Sequence, residues 1–313
     1  MPVFSNFGLR ILVLGATGDQ GRPQVEVALS RGHHVRAAAR GAATSAPRDR
    51  YEFFRLDFAD RGAVAAAMDS IDVVLANFPS SSFNDGAALI RAVDFVGAAA
   101  KSANVQLIVF NTSQPVADAP IGLRGHDVRL MMRQCLETSG VPLITLQPAV
   151  FMGNLLLWAY KAIVENNQFI YPHRSDLQVS WLWQHDLAQM MVAAAERPYL
   201  SGRKFRVGGP ECLRGHDVAA AISAAAGRQI TFVSQPIPEF CTALAEQIKI
   251  DDPGEKAFML GELAGIYRWY NECLDHPFQV DMRDVMQDLP VSLTRLADWA
   301  RRQDWSGSGR SRQ

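Results

Sequence analysis

The stretch Ile11-Leu12-Val13-Leu14-Gly15-Ala16-Thr17-Gly18-Asp19-Gln20-Gly21 decides how the rest of the chain is read. Four consecutive apolar residues predict a strand buried on both faces, and Pro23 to Leu29 has the apolar spacing of a helix. A strand, a tight glycine turn and a helix N-terminus, in that order, aim unpaired backbone N–H groups and the positive end of the helix dipole at a pyrophosphate. Gly15 permits the turn, Gly18 lets the backbone approach the phosphates, and Gly21 lets the helix lie close on the strand. Because the glycines fall strand-first and helix-after at the head of an alternating pattern, they predict a bound dinucleotide rather than a bare turn.

Outward from that loop, Gly32 to Arg40 reads as a second strand ending in a basic residue. An acid at the end of this strand would bond the adenosine ribose and select NAD, whereas arginine accommodates the extra phosphate of NADP. No acid occupies positions 35 to 41; Arg40 follows the strand and Arg36 shares its face by the two-residue period, so NADP(H) is expected in preference to NAD(H). His33 and His34 point to opposite faces and fail as a metal pair.

Glu52 to Asp57 predicts a third strand, with Asp57 either meeting the adenine edge or serving only as a turn residue, and Asp60 capping a helix through Met68. Asp72 to Ala76 is a fourth strand, running into Asn77, Phe78, Pro79 and Ser80 to Ser82, which would border the cofactor's ribose and nicotinamide. After a helix from about Asp85 to Lys101, Val105 to Phe110 forms a fifth strand that ends in Asn111-Thr112-Ser113. These small polar residues either floor a site or simply terminate the strand. A helix from Gly125 to Ser139, stopped by Gly140, leads to a sixth strand, Val141 to Pro148. Strands that alternate with helices make a parallel sheet covered on both faces, because parallel neighbours need crossover connections.

Composition bounds the function. The 313 residues are 48% hydrophobic and 20% charged, enough for one large core with a smaller lobe. A net charge of −1 supplies no basic excess for nucleic acid, and no apolar run reaches the ~18 residues of a membrane span. Residues Met1 to Asn6 lack the regions of a signal peptide, so a cytoplasmic protein is expected. The cysteines at 135, 212, 241 and 273 contain no C-x-x-C pair and are expected to be reduced packing thiols, with no metal site.

Gly15-Ala16-Thr17-Gly18-Asp19-Gln20-Gly21, His34 to Arg40, Ser139 to Asn154 and His185-Asp186-Leu187-Ala188 together resemble the NmrA-like family of atypical short-chain dehydrogenases/reductases, and the resemblance extends to about Pro236. It implies a Rossmann-type doubly wound parallel sheet with a smaller, discontinuous C-terminal substrate lobe. It also implies phosphate contacts from Gly15, Thr17, Gly18 and Gly21 with Gln20 alongside, 2′-phosphate contacts from Arg36 and Arg40, an adenine contact near Asp57, and nicotinamide-side contacts near Asn77, Phe78 and Ser113. The family holds both NADPH-dependent reductases and regulators that bind the cofactor without turnover. Here the chain departs from ordinary short-chain dehydrogenases. The lysine of their Tyr-x-x-x-Lys pair falls on Arg129 and the tyrosine on Gly125. A glycine passes no proton, whereas Arg129 can hold a ribose hydroxyl or an oxyanion; His126, one turn away, is the candidate proton donor, and Ser113 a positioning hydroxyl.

Leu123-Arg124-Gly125-His126-Asp127-Val128 recurs as Leu213 to Val218, read as a shared helix-opening phrase. The expected organisation is a cofactor core over residues 1–150 to which 186–207 return, a substrate-side lobe over 151–185 and 208–305, and a disordered end over 306–313. Phe151 to Tyr160 and Trp181-Leu182-Trp183 would line an apolar cleft. These features lead to an NADPH-dependent reductase that passes hydride to a conjugated or quinone-like small molecule, or to an NADP(H)-sensing regulator without turnover. The expected partners are a small apolar or aromatic substrate and either a regulatory protein or a second copy in a homodimer; neither nucleic acid nor membrane is expected.

Overall fold

A computed structural model describes residues 8–41, 49–79, 86–248 and 252–307. The chain divides into two compact units, one of residues 1–148, 184–206 and 283–291, the other of 149–183, 207–282 and 292–313.

The first unit is built on a seven-stranded sheet. Its strands are β1 (Arg10–Leu14), β2 (His34–Ala39), β3 (Tyr51–Arg55), β4 (Val73–Ala76), β5 (Leu107–Asn111), β6 (Leu143–Pro148) and β7 (Lys204–Val207), in the order β7-β6-β5-β4-β1-β2-β3. The pairs β1–β2, β1–β4, β2–β3, β4–β5 and β5–β6 are all parallel. Helices α1 (Gly21–Ser30), α2 (Arg61–Ala67), α3 (Gly86–Ser102), α4 (Arg124–Thr138) and α5 (Gln184–Ala195) cover it. This is the Rossmann-type α/β arrangement expected from the alternation. Ile11 to Leu14, Val73 to Ala76 and Leu107 to Asn111 are buried without interruption, as strands covered on both faces must be. The order reverses between β1 and β4, so the crevice opens at their carboxyl ends.

Local chemistry sets the ends of the elements. Asp60 opens α2 by accepting from the Ala63 N–H at 3.0 Å, and Gly140 follows α4 at φ +75°. Burial of His33 ties α1 to α5: its Nδ1 accepts from Leu9 N–H at 3.1 Å while Nε2 lies 3.1 Å from Glu196, which Arg31 also reaches at 2.9 Å. The predicted helix over 85–101 runs one residue later, and Ser80 to Ser82 lie outside the described residues, as do 308–313 of the polar end.

The second unit has two small parallel ribbons, Val150–Phe151 with Trp181–Leu182 and Gln168–Tyr171 with Thr231–Ser234. Helices Gly215–Ala226, Ile237–Ile248 and Pro253–Glu272 belong to it. A helix starts at Asp252-Pro253-Gly254: Asp252 accepts from Glu255 N–H at 2.7 Å and Pro253 occupies the first turn, where its missing N–H costs nothing. Met259, Ile266 and Tyr270 form the buried stripe of that helix. Its core is aromatic, with Tyr171 against His173 at 4.6 Å and Tyr270 against Phe278 at 4.1 Å between ring centres. Burial pushes His173 down to about 3 and Tyr171 up to about 12, although Tyr267 and Asn154 hydrogen-bond the phenol.

Both copies of the repeated hexapeptide open helices. In the first, Asp127 accepts from the N–H groups of Ile121 at 2.8 Å and Gly122 at 3.0 Å; in the second, Asp217 accepts from Arg214 N–H at 2.9 Å. In each copy a carboxylate in the first turn closes the chain back on itself. Among the described residues no cluster of three or more His, Cys, Asp or Glu could hold a metal ion, and no helix is long and apolar enough to cross a membrane.

Candidate functional site

The loop between β1 and α1 has the geometry its glycines require. Gly15 has φ +67°, and a Cβ on Gly21 would fall 2.2 Å from the Gly15 carbonyl oxygen, so α1 can approach the turn only if residue 21 has no side chain. Gly18 lines the cleft and also builds the turn. Its N–H donates to Gly15 O at 3.0 Å and closes the turn, and its carbonyl accepts from Arg22 N–H at 2.9 Å. Among the described residues the N–H groups of Thr17, Asp19, Gln20 and Gly21 meet no acceptor. Together they form a ring of unpaired donors at the positive end of a ten-residue helix, which suits a diphosphate.

These groups border a cleft of about 400 Å³. Gly15, Thr17, Gly18, Gln20, Gly21, Arg40, Asn77, Phe78 and Ser113 all line it. Ala38 and Ala39 of β2, Leu56 after β3 and Phe58 complete the wall beside Arg40. An adjoining groove of about 490 Å³ shares Arg40, Phe58 and Pro79 and adds Asp57 and Arg91. Asp57 also accepts from Ala59 N–H at 3.0 Å, so one carboxylate oxygen builds the turn while the residue faces the groove. Neither Arg40 nor Arg91 has a carboxylate partner among the described residues.

Three predicted residues lie elsewhere or are otherwise occupied. Arg36 is on the same face as Arg40 but toward the opposite end of β2. Its guanidinium bonds Glu52 at 2.9 Å and the carbonyls of Ala67 at 3.1 Å and Asp69 at 3.0 Å, away from the cleft. The two-residue period places side chains on a face, but four residues of strand span roughly 13 Å, and only the carboxyl end meets the crevice. His126 is 1% exposed, and burial pushes it down to about 4, against the neighbouring charge of Asp127. It does not line the cleft, and a neutral imidazole is a poor proton donor at pH 7. Arg129 is 2% exposed and also stands behind the cleft wall. Its Nη2 donates to Pro79 O at 3.2 Å, and burial lowers its pKa to about 10, which still leaves it charged. No described carboxylate neutralises it. At the former tyrosine position, the Gly125 carbonyl accepts from Gln114 Nε2 at 3.2 Å.

The floor of the cleft is a chain of side-chain amides. Gln24, fully buried, exchanges two hydrogen bonds with Asn77, at 2.9 and 2.8 Å, and Asn77 also donates to Leu14 O at 3.0 Å. Asn111 donates to Asn77 Oδ1 at 3.0 Å and to Gln20 Oε1 at 2.5 Å, and accepts from Ser113 N–H at 2.8 Å. Ser113, at φ +63°, donates through Oγ to Gln20 Oε1 at 3.1 Å. Asn77 therefore has no side-chain donor left for a nicotinamide; it positions its neighbours. Phe78 is likewise mostly core, 5% exposed between Phe58 and Phe110 at ring distances of 5.4 and 6.0 Å. Sequence reading missed Gln24 and Arg91. A glutamine in the apolar run of α1 was a signal for the first; the second is an arginine on a helix exterior, which carries none.

A crevice at the carboxyl ends of β1 and β4, under a glycine turn and a helix N-terminus, defines the class of dinucleotide-binding doubly wound proteins. Within it, the chain belongs to the NmrA-like family, whose profile matches residues 9–299. It is 32% identical over 229 residues to an NAD(P)H azoreductase from Xenophilus azovorans, covering 72% of this chain and 76% of the relative. Among solved structures it is similar to the triphenylmethane reductase of Citrobacter sp., at 20% identity and a TM-score of 0.75, with 94% of this chain and 100% of that one covered. It is also similar to NmrA, a negative transcriptional regulator, in complex with NADP, at 18% identity and a TM-score of 0.73, with 95% of each chain covered.

Proposed function

We propose that this protein is an NADPH-dependent reductase that passes hydride to a conjugated, quinone-like small molecule. The observation that carries the reading is the charge pattern along the cleft. Unpaired amides at the start of α1 lie at one end, and two arginines without acidic partners, Arg40 and Arg91, lie at the other. That pattern fits a dinucleotide with a third phosphate at its adenosine end. The cofactor supplies the hydride when bound. In this reading the chain's own residues do the rest: the amides of Thr17, Asp19, Gln20 and Gly21 hold the diphosphate, Arg40 and Arg91 hold the 2′-phosphate, and Ser113 with Gln20 fixes the nicotinamide side. Arg129 contributes positive charge from behind Pro79, which favours an anion developing in the acceptor.

The substrate class follows from what the site lacks. With glycine at the tyrosine position and His126 buried and neutral, no strong acid reaches the cleft from α4. A conjugated acceptor spreads the negative charge it gains over its π system and can take its proton later from water. The azoreductase and triphenylmethane reductase named above agree with acceptors of this kind. The test is spectrophotometric: purified protein with NADPH and a panel of quinones, enones, azo compounds and triphenylmethane dyes should consume the reduced nicotinamide with at least one acceptor. The same withdrawal of Arg129 and His126 favours a second reading, a cofactor-sensing regulator. Tight NADP(H) binding with no turnover on any acceptor would favour it over the first.

A further inference from the structure

The amide chain under the cleft has a polarity, and main-chain groups pin that polarity at both ends. At one end Asn77 Nδ2 faces the Leu14 carbonyl, which can only accept; at the other, Asn111 Oδ1 faces the Ser113 N–H, which can only donate. Asn111 must therefore turn its NH₂ toward Gln20 and Asn77, and the oxygen of each of those amides must turn toward Asn111. Ser113 Oγ donates to the same Gln20 oxygen. Turning the Gln20 amide over would set one NH₂ against another. Both lone pairs of Gln20 Oε1 are thus used inward, and no described residue accepts from its Nε2. Gln20 lines the cleft beside Ser113 and Asn77, on the wall away from the groove of Arg91.

We propose that Gln20 determines specificity for the nicotinamide half of the dinucleotide, its Nε2 donating to an acceptor oxygen there. The proposal rests on the cofactor reading above. Asn111, Ser113 and Asn77 act through Gln20 as positioning residues, holding the donor end outward without a charge. A neutral donor suits a ligand oxygen in either redox state of the ring, whereas a carboxylate at the same place would oppose both phosphate and carbonyl.

The test is titration calorimetry with NADP and NAD on wild type, Gln20→Met and Gln20→Glu. Thermal melting of each apo protein serves as the control. Glutamate can still accept from Asn111 and Ser113 through one oxygen, but it presents a second acceptor to the cleft; methionine keeps the length and presents nothing. Gln20→Met should bind the preferred dinucleotide about tenfold more weakly, the loss of one neutral hydrogen bond. Gln20→Glu should lose about a hundredfold or more. Both variants should bind the matching adenosine monophosphate, which carries only the adenine end, within about twofold of wild type. Wild-type affinity for the dinucleotide in Gln20→Glu would overturn the proposal alone, as would a parallel loss for the monophosphate. No heat with either dinucleotide on folded wild type would overturn the cofactor reading and this proposal with it.

Discussion

Gly21 and Gly18 occupy one turn but should respond to alanine in opposite ways. A Cβ on Gly21 would meet Gly15 O at 2.2 Å, Gly15 C at 2.7 Å and Ala16 Cα at 2.9 Å. All three are in the backbone of the turn, so no side chain can swing aside; the loop must open by about 1 Å or α1 must shift along the sheet. Overpacking of this kind costs about 1–3 kcal/mol, and rigid backbone neighbours place Gly21→Ala at the upper end. At roughly 2–4 °C per kcal/mol for a unit of this size, melting should fall by about 5–10 °C. At Gly18 the added Cβ would meet only Gly15 O at 3.4 Å, an ordinary contact, and φ is not left-handed. Gly18→Ala should therefore leave stability within about 1 kcal/mol of wild type. The residue is exposed and lines the cleft, so the methyl group should stand where the diphosphate approaches and cut dinucleotide affinity by about tenfold. Calorimetric melting and titration of the two variants together separate the effects. Equal melting temperatures for Gly21→Ala and wild type, or a Gly18→Ala loss of stability matching that of Gly21→Ala, would refute the assignment of roles.

Arg40→Ala and Arg91→Ala should each weaken NADPH by about tenfold to a hundredfold, the range of a charge-assisted contact, and leave NADH within about threefold; Arg36→Ala should change neither, because its guanidinium serves Glu52 and the carbonyls of Ala67 and Asp69. Fluorescence titration with both reduced cofactors checks this, and equal losses for NADPH and NADH would refute it. For His126 the folded pKa of about 4 is below the unfolded 6.5, so the unfolded chain takes up the proton first. Its contribution to stability is intact above pH 6.5 and falls as pH drops from 6.5 to 4, by about 3 kcal/mol in total. Denaturant unfolding of wild type and His126→Gln across that window should show the variant with the flatter acid limb. Catalysis carrying a pKa near 6.5 that the variant abolishes would instead return His126 to the cleft.

The order strand, glycine turn, helix needs only local sequence to be recognised, because φ angles and N–H exposure are set within a few residues. For the same reason the parallel sheet was legible from alternating apolar runs, and Asp60, Gly140 and the repeated hexapeptide from end chemistry. A resemblance in the same segments gave the family. What stayed hidden depends on which end of an element a side chain reaches and on what buries it. Periodicity put Arg36 and Arg40 on one face, but only the pairing of β2 with β1 and β3 shows that Arg36 belongs to the far end. Spacing put His126 one turn from Arg129, but only the packing of α4 shows that both are withdrawn from solvent. The Gln20, Gln24, Asn77, Asn111 and Ser113 chain joins residues up to 93 positions apart, so no local pattern encodes it. Sequence by itself determined the backbone's folding plan and the donors of the glycine turn, which are properties of neighbouring residues. Tertiary structure alone decided which polar groups face the cleft and with which polarity, because burial and hydrogen-bond direction are set by partners that the chain brings together only when folded.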